Sequence, residues 1–450
     1  MQLPRLLLDS LESVKGFDKQ AFEKVHASGE QITSIRINPN KDSKFQIPNS
    51  NIPWCETGYY LDSRPSFTFD PLFHAGCYYV QEASSMFLEQ ALKQTVDLLQ
   101  PLKVLDLCAA PGGKSTHIQS LISKESLLVS NEVIRSRANI LKDNSIRWGC
   151  NNVVVTNNDP KDFTKLENYF DAIVVDAPCS GSGLFRRDED AIAEWSLNNV
   201  ALCSHRQQRI LADILPALKK NGVLIYSTCS YSKEEDEDIM DWMKEEMSVV
   251  SCPLSVHKDW NVTEVTGSSG AFGYRFWPDK IKGEGFFMTC FRKLDGEFDS
   301  LLKKKNKRTG LTKGERDIVE KWVKTDGLHF IKYEDTVYAW PDHLAAYFNL
   351  LLTQFRVIYS GTLIGELMGD KLIPHHALAL SSLVNETIIR TELNYEQAIE
   401  YLQRKDLKIQ NAERGWRLVA FKGKNIGWIN VLPGRINNYY PKELRILKES

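Results

Sequence analysis

Five short apolar runs alternate with helical segments in the middle of the chain, and this alternation constrains the fold more than any other feature. The runs occupy residues 104–107, 127–130, 153–156, 173–176 and 223–226. Strands separated by helical patterns predict an α/β domain with a doubly wound, mostly parallel sheet. In such a sheet a ligand binds at the carboxyl ends of the strands, near the point where the strand order reverses. Residues that directly follow the runs are therefore the candidates for a functional site.

The composition is that of an ordinary globular protein. Of the 450 residues, 42% are hydrophobic and 25% are charged, which argues against extensive disorder, and the length predicts several domains. The net charge of -2 does not decide for or against a nucleic-acid partner, because such binding uses a local basic face. We find no apolar run long enough to span a bilayer, and the amphipathic N-terminus lacks the cleavage site of a signal peptide.

The cysteines bear on both compartment and chemistry. All nine occur singly, without the close pairs that metal sites and redox motifs need. We therefore expect a reducing, cytoplasmic location and no metal site. A cysteine with a special role would act there as a thiol.

The pattern of apolar, polar and charged residues changes at several places along the chain. We predict an N-terminal extension, a central core, a basic linker, an intermediate domain and a C-terminal module, at residues 1–75, 76–294, 295–310, 311–390 and 391–450. The linker contains the basic run 303–308, which fits either a solvated connection or a phosphate contact.

The loop between the first apolar run and the following helical segment is the candidate ligand loop. Small residues there let the backbone approach a ligand closely, and a helix N-terminus offers free N–H groups. The spacing is neither that of a dinucleotide fingerprint nor that of a phosphate-binding P-loop. The loop favours a nucleotide-like ligand and consists of Cys108, Ala109, Ala110, Pro111, Gly112, Gly113 and Lys114.

Two carboxylates follow the next two runs. Glu132 is placed where an acidic side chain can accept hydrogen bonds from both ribose hydroxyls. Asp159 is placed where a carboxylate can receive an adenine amino group. Each residue, taken singly, also fits a surface or capping acid. A nicotinamide dinucleotide would satisfy most of this pattern too, so these positions leave the cofactor open.

Two cysteines follow the fourth and fifth runs. Cys179 lies in the segment 176–183, and Cys229 lies in the segment 227–230. Both therefore project from the same edge of the sheet as the ligand loop. A structural cysteine is usually buried within an element as a small hydrophobe, which fits these positions poorly. A deprotonated thiol at such a place is a candidate nucleophile.

These residues lie in motifs that resemble those of the Nop/Sun family of RNA 5-methylcytosine methyltransferases. The matching segments are 79–85, 106–115, 176–183, 227–230, 275–278 and 283–287, and the paired Pro-Cys and Thr-Cys cysteines are specific to the family. The resemblance implies a Rossmann-like class I methyltransferase core that uses S-adenosylmethionine. It also implies a small α+β N-terminal domain and a C-terminal α+β region that ends in a PUA-like β-barrel.

The family chemistry explains the need for a thiol. Cytosine carbon 5 is a weak nucleophile, and a thiolate that adds to carbon 6 makes it enamine-like. The resemblance implies that Cys229 is the nucleophile and that Cys179 assists breakdown of the adduct and release of RNA. Asp176, three residues before Cys179, is placed to stabilise the adduct through N3 and the amino group of the base. The target base must leave any stack to reach the sulfur.

The resemblance also assigns the cofactor site. It implies that the segment from Cys108 to Lys114, together with Glu132, Asp159 and Asp176, holds S-adenosylmethionine and the base. Arg137, on the helical segment after Glu132, is expected to face the cofactor as well.

The flanks indicate the RNA partner. Residues 34–39 and 53–60 are similar to the RNA-binding extension of bacterial members, and residues 437–445 are similar to a PUA-like module of the subgroup that modifies 16S ribosomal RNA. We therefore expect a monomer that acts on 16S ribosomal RNA or the small subunit. Trp416 and Trp428 fit a β-barrel core. Arg186 and Arg187 fit either RNA phosphate contacts or a solvated loop.

Three other hypotheses remain open at this point. The core motifs do not distinguish ribosomal RNA from tRNA, so a tRNA methyltransferase with the same mechanism is one of them. A ribosome-assembly factor that binds RNA without catalysis is the second, although the intact cysteines and ligand loop weigh against it. A dehydrogenase is the third, and it leaves the two cysteines unexplained.

Overall fold

The computed structural model describes residues 3–41, 50–296, 310–409 and 413–448, and the predicted basic run 303–308 lies outside them. The described helices are α1 (Arg5–Leu11), α2 (Lys19–Ala27), α3 (Pro71–His74), α4 (Leu88–Thr95), α5 (Gly113–Leu121), α6 (Arg135–Trp148), α7 (Asp190–Glu194), α8 (Leu197–Ile214), α9 (Glu237–Glu246), α10 (Lys313–Val319), α11 (Ala345–Gln354), α12 (His376–Leu380) and α13 (Tyr395–Leu402). The described strands are β1 (Thr33–Ile37), β2 (Gly58–Leu61), β3 (Tyr78–Val80), β4 (Lys103–Asp106), β5 (Leu127–Asn131), β6 (Val153–Thr156), β7 (Phe170–Asp176), β8 (Leu218–Thr228), β9 (Val249–Ser251), β10 (Thr263–Thr266), β11 (Phe272–Phe276), β12 (Phe286–Lys293), β13 (Leu328–Tyr333), β14 (Thr336–Pro341), β15 (Val357–Ser360), β16 (Thr362–Met368), β17 (Lys371–Pro374), β18 (Arg390–Glu392), β19 (Gly415–Phe421), β20 (Lys424–Leu432) and β21 (Arg435–Asn438).

A mixed sheet forms the centre of the molecule. Its strand order is β10-β11-β12-β8-β7-β4-β5-β6-β15, and β9 pairs with β12. The five strands from β8 to β6 are parallel, and they contain the five apolar runs of the sequence. The predicted Rossmann-like core is confirmed. The strand order reverses at β4, which has β5 on one side and β7 on the other, so the ligand edge lies at the carboxyl end of β4.

Both faces of this sheet are covered, which is why its strands are apolar throughout. Alternate residues of β4 belong to different cores, with Val104 on one face and Leu105 on the other. Helices α4, α5 and α6 pack on the face of Val104. Helices α8, α9 and α11 pack on the face of Leu105. The helices therefore leave the carboxyl edge of the strands to the loops that follow them.

The N-terminal extension packs against the C-terminal module. Its strands β1 and β2 form an antiparallel sheet with β3, which lies just beyond the predicted boundary at residue 75, in the order β2-β1-β3. Ile35 and Leu72 of the extension share one buried cluster with Tyr401 and Ile429 of the module. The two ends of the chain thus share a hydrophobic core beside the central sheet.

Arg36 of β1 is buried beneath the helix that follows the ligand loop. Its side chain donates hydrogen bonds to residues of α5, namely to the Thr116 hydroxyl at 2.7 Å and to Ser120 Oγ at 3.1 Å. It also donates to Gln81 Oε1 at 2.9 Å and lies over the Trp148 ring. A buried guanidinium is tolerated only when its donors are satisfied, as they are here. Arg36 therefore supports α5 from below and does not present its charge to RNA.

The region predicted as an intermediate domain contributes to the central sheet. Strand β15 pairs antiparallel with β6, and Phe348 and Leu351 of α11 pack on one face of the sheet. The remaining strands form two four-stranded sheets in the orders β13-β14-β16-β17 and β18-β19-β20-β21. Trp428 is fully buried between them, and Trp416 is half-buried beside it. None of the described helices is long and apolar enough to cross a membrane.

Two histidines lie where the extension meets the C-terminal module. The hydroxyl of Tyr440 is 3.1 Å from His74 Nδ1, and the ring of Tyr440 packs edge-on against the ring of His376 at 5.3 Å. Burial lowers the pKa of His74 to about 4 and that of His376 to about 3. Both rings are neutral in the folded protein at neutral pH.

We expect this contact to make the fold acid-sensitive. As the pH falls below the usual histidine pKa, the unfolded chain binds protons that the folded protein does not bind until near pH 4. The free energy of unfolding should therefore fall by roughly 2 kcal/mol for each histidine between about pH 7 and about pH 5. Urea unfolding of the wild type and of His376→Gln measures this, and the variant should lose less stability over that range. His205→Gln, at an exposed position, is the control. An equal loss of stability in His376→Gln and wild type would contradict the prediction.

Candidate active site

The register of two neighbouring parallel strands brings the two cysteines together. Asp176 at the end of β7 is paired with Ser227 near the end of β8. Cys179 and Cys229 follow these strand ends, and their sulfur atoms lie 3.0 Å apart. Both side chains are partly exposed. The structure thus places the two predicted reactive cysteines in direct contact at the carboxyl edge of the sheet.

A glycine allows the two cysteine loops to approach closely. Gly183 donates its backbone N–H to the carbonyl oxygen of Cys229 at 2.9 Å. A Cβ atom at Gly183 would lie 2.8 Å from that carbonyl oxygen and 2.5 Å from the carbonyl oxygen of Gly285. Only glycine fits between these backbones.

The two thiols have unequal surroundings. A hydrogen bond with Cys229 raises the pKa of Cys179 well above the usual value, and burial of the sulfur and the nearby negative charge of Glu235 add to this shift. Cys179 is therefore a neutral thiol at neutral pH. It can donate an S–H hydrogen bond to the sulfur of Cys229, the predicted nucleophile.

Asp176 links the cysteine loops to the ligand loop. Its carboxylate lies 2.7 Å from Nζ of Lys114 and accepts a hydrogen bond from Ser227 Oγ at 2.8 Å. Lys114 also lies over the Phe286 ring at 5.2 Å. The ion pair and the hydroxyl fix the direction of the Asp176 carboxylate, which remains about one-third exposed. Lys114, predicted as a ligand residue, therefore orients Asp176 in this structure.

The ligand loop turns sharply into α5. Gly112 caps the helix with a φ of 115°, in the left-handed region that favours glycine. A Cβ atom there would lie 3.3 Å from the Leu141 side chain of α6. The glycine is thus required by the turn and by helix packing, whereas the sequence suggested close approach to a ligand. The other residues of the loop lie between the ends of β4 and α5, which is the position predicted for the cofactor.

A buried carboxyl group lies beneath the ligand loop. Asp106 ends β4 and accepts a hydrogen bond from Ser115 Oγ at 2.6 Å through Oδ2. Its Oδ1 atom has no hydrogen-bond partner in the part of the chain that the structure describes. Burial raises the pKa of Asp106 to about 7. The predicted ligand site therefore contains a buried acceptor without a partner among the described residues, and sequence reasoning did not single it out.

Glu132 and Arg137 form a second link to the ligand loop. Glu132 is buried after β5, where Oε1 accepts the N–H of Ile134 at 2.9 Å and Oε2 lies 3.5 Å from Arg137. Arg137 donates to the carbonyl oxygen of Ala110 at 2.9 Å. A carboxylate has about four acceptor sites, so Glu132 retains capacity for hydroxyl donors. The half-exposed Arg137 holds Glu132 beside the loop.

Asp159 lies at the same edge but also has a local structural role. Its side chain accepts the N–H of Lys161 at 3.1 Å and caps the short helix Pro160–Leu166. This is the capping role that the sequence left open beside the adenine contact. Asp159 is partly exposed after β6, two strands away from the ligand loop.

The structure agrees with neither alternative for Arg186, a phosphate contact or a solvated loop. The side chain is buried and donates to the carbonyl oxygens of Glu30 at 2.6 Å and Gly283 at 3.2 Å. Its guanidinium also lies 3.6 Å from the buried Glu284 carboxylate. These contacts use Arg186 to hold the loop after Cys179 against the N-terminal extension. Arg187 is exposed.

One buried group contains three potential metal ligands. Nε2 of His117 lies 3.1 Å from a carboxylate oxygen of Glu89 and 3.7 Å from Sγ of Cys55. The other oxygen of Glu89 accepts from Lys93 at 2.7 Å and from the Glu56 N–H at 3.2 Å. Burial lowers the pKa of His117 to about 4, so its ring is neutral. Because Glu89 is already surrounded by donors, the group forms a hydrogen-bonded junction between the extension and α5.

Models of known families match three parts of the chain. Residues 94–292 match the model described as 16S rRNA methyltransferase RsmB/F. Residues 3–83 match the N-terminal domain of 16S rRNA methyltransferase RsmF, and residues 389–446 match the methyltransferase RsmF PUA domain. The matches occur in the order of the predicted extension, core and C-terminal module.

Curated relatives align over most of their length. The ribosomal RNA small subunit methyltransferase F of Vibrio campbellii is 31% identical over 418 residues, which cover 88% of this chain and 85% of the relative. The protein of the same name from Psychromonas ingrahamii is 30% identical over 450 residues, with 91% and 90% covered.

Solved structures share the fold of the core. A methyltransferase homologue from Pyrococcus horikoshii is 27% identical, with a TM-score of 0.52, and covers 65% of this chain and all of that chain. NSun6 from Pyrococcus horikoshii with SFG has a TM-score of 0.52 and covers 65% of this chain and 99% of that chain, but its 19% identity shows the fold alone. The similarity to the curated relatives extends through the N-terminal and C-terminal regions as well, and the chain therefore belongs to the family of 16S rRNA methyltransferases F.

Proposed function

We propose that this S-adenosylmethionine-dependent methyltransferase methylates carbon 5 of a cytosine in 16S ribosomal RNA through a covalent adduct with Cys229. The observation that carries the proposal is the contact between the Cys179 and Cys229 sulfurs, 3.0 Å apart beside Asp176. The names of the curated relatives support the small-subunit substrate. The match to a PUA domain supports an RNA partner.

The residues around the ligand loop fit S-adenosylmethionine, which supplies the methyl group. The unsatisfied Oδ1 of Asp106 is suited to an ammonium or hydroxyl donor. The spare acceptor sites of Glu132 are suited to ribose hydroxyls. We propose that the loop from Cys108 to Lys114 holds the cofactor with Glu132, that Arg137 orients Glu132, and that Asp159 receives the adenine.

Cys229 begins the reaction at the base. Its thiolate adds to carbon 6 of a cytosine that has left its stack, and carbon 5 then accepts the methyl group. Asp176, held by Lys114 and Ser227, accepts a hydrogen bond from the amino group of the base and shares a proton with N3, and so stabilises the adduct. A preoriented carboxyl group needs little rearrangement as charge develops on the ring.

Cys179 acts when the adduct breaks down. A general base removes the carbon 5 proton, the electrons of that C–H bond form the double bond between carbons 5 and 6, and the sulfur of Cys229 leaves carbon 6 as a thiolate. The neutral Cys179 thiol donates its S–H to this leaving sulfur. The proposed role in product release follows from this contact.

We also propose a location, an oligomeric state and a domain organisation for this protein. We propose a cytoplasmic monomer that needs no metal, since Glu89 is already paired with Lys93, the Glu56 N–H and His117. We also propose the division of the chain into 1–75, 76–294, 295–310, 311–390 and 391–450. The three family matches support its first, second and last parts. Strand β15 ties residues 311–390 to the core sheet.

The direct test is transfer of labelled methyl from S-adenosylmethionine to purified small ribosomal subunits, free 16S RNA and tRNA. We expect 5-methylcytosine in 16S RNA, identified by nucleoside mass spectrometry. Cys229→Ala should give no transfer while it still binds the cofactor, because its thiol acts on RNA. Label in tRNA alone would replace the substrate with tRNA. Cofactor binding without label in any RNA would favour the assembly factor, and ordinary turnover by Cys229→Ala would refute the nucleophile.

We expect Cys179→Ala to accumulate a covalent protein–RNA adduct, because the sulfur of Cys229 loses its proton donor. The adduct should survive a denaturing gel and depend on both RNA and S-adenosylmethionine. Cys203→Ala, a buried cysteine outside both cysteine loops, is the control and should form no stable adduct. Absence of an adduct with RNA that the wild type methylates would remove Cys179 from the release step.

We expect Glu132→Ala to weaken S-adenosylmethionine binding by about 10- to 100-fold, the effect of losing hydrogen bonds to a charged acceptor. Calorimetry measures the affinity, and the exposed Glu167→Ala is the matched control. In the wild type, S-adenosylmethionine should raise the melting temperature and a nicotinamide dinucleotide should not, since only a ligand of the native state stabilises it. Unchanged affinity in Glu132→Ala would take this residue out of the cofactor site.

A further inference from the structure

Glu235 is a fully buried carboxylate between the two cysteine loops. Its Oε1 accepts the backbone N–H of Ser180 at 2.8 Å, and its Oε2 accepts the hydroxyls of Ser180 at 2.5 Å and Ser230 at 2.7 Å. Ser180 directly follows Cys179, and Ser230 directly follows Cys229. One side chain therefore joins the residues next to both sulfur atoms.

A helix supplies the fourth donor to the same carboxylate. Gln207 of α8 donates to Oε1 of Glu235 at 3.2 Å and to the carbonyl oxygen of Pro178 at 3.0 Å. Pro178 precedes Cys179, so Cys179 is held on both sides. Four donors match the roughly four acceptor sites of an ionised carboxylate. Although burial raises the pKa of Glu235, the hydrogen bonds oppose that shift and favour the ionised form.

The fold does not need a buried carboxylate merely to join the two cysteine loops. A buried carboxylate is costly, and apolar packing would join two loops at lower cost. The carboxylate offers a fixed distance between the loops and a negative charge beside Cys179. That charge contributes to the raised pKa of the Cys179 thiol, which keeps the proton on its sulfur and the S–H group available as a hydrogen-bond donor.

We propose that Glu235 is a positioning residue that holds Cys179 against Cys229 and thereby allows the RNA adduct to break down. The inference rests on the proposed function. It predicts that loss of Glu235 affects release more than binding of the cofactor. Without this carboxylate the loops separate, and Cys179 no longer donates its S–H hydrogen bond to the leaving sulfur.

The test compares full-length Glu235→Ala, Glu235→Gln and the control Glu234→Gln, whose side chain is exposed at the neighbouring position. Turnover on small subunits or 16S RNA, the KM for S-adenosylmethionine and covalent adduct on a denaturing gel are measured for each. Glu235→Ala should lose about 100-fold in kcat, the cost of displacing a reacting group by about 1 Å. Its KM should stay within about twofold of the wild type, since removing a positioning group leaves cofactor binding intact. Its adduct should accumulate as in Cys179→Ala.

Glu235→Gln should retain most of the turnover, because an amide can bond to the same serine groups. This rescue separates positioning by the hydrogen bonds from an effect of charge. Turnover of Glu235→Ala at the wild-type rate would overturn the inference. A loss of turnover in Glu235→Ala without accumulation of adduct would also overturn the inference. A purely structural role predicts that result, together with a lower melting temperature.

Ser230→Ala provides a second route if Glu235→Ala does not fold. It removes the link to the Cys229 loop and leaves the carboxylate in place. We expect an intermediate accumulation of adduct, and no adduct in this folded variant would count against the inference. If Cys179→Ala traps adduct but these variants do not, the inference alone fails. If neither wild type nor Cys179→Ala acts on any RNA, the proposed function itself fails.

Discussion

The parallel pairing of β7 with β8 determines where the chemistry takes place. Because Asp176 lies opposite Ser227, the chains leave the two strands side by side, and three residues later the Cys179 sulfur meets that of Cys229. A shift of the register by one residue would turn the side chains of one of the two strands to the opposite face of the sheet. The contact between the sulfurs and the hydrogen bond that orients Asp176 both depend on this single alignment, and the register of β4 with β7 places the ligand loop beside them.

The parts of the chain that resemble RNA-binding segments also support the catalytic core. Arg36 of the extension holds α5 from below, and Arg186 ties the loop after Cys179 to the same extension. Both guanidinium groups are buried and use backbone carbonyls as acceptors. The N-terminal region is therefore coupled to the cofactor helix and to a cysteine loop by direct hydrogen bonds, in addition to its shared core with the C-terminal module.

Sequence patterns predict the features of this structure that depend on nearby residues, and they do not predict contacts between distant ones. The buried parallel strands were predictable because both of their faces are apolar, and the strand ends then identified the ligand loop, Asp176 and the two cysteines. Glu235 was not predictable, since it lies in the acidic run 234–238, which is typical of a solvated surface. Burial of Arg186 depends on carbonyl groups far away in the sequence, and no local pattern reports such contacts. The sequence did not predict the place of strand β15 in the central sheet either, because β15 pairs with β6, which is far away in the sequence.

The position of β15 late in the sequence has a consequence for the chain during its synthesis. Strand β6 would be an open edge of the sheet without β15, with a row of unpaired backbone groups that template association with other chains. Residues 357–360 leave the ribosome only after the whole catalytic core has been synthesised. A fragment that ends after β12 would contain every residue proposed for catalysis and still carry this aggregation-prone edge. The strand that covers the β6 edge is thus supplied by the C-terminal half of the chain.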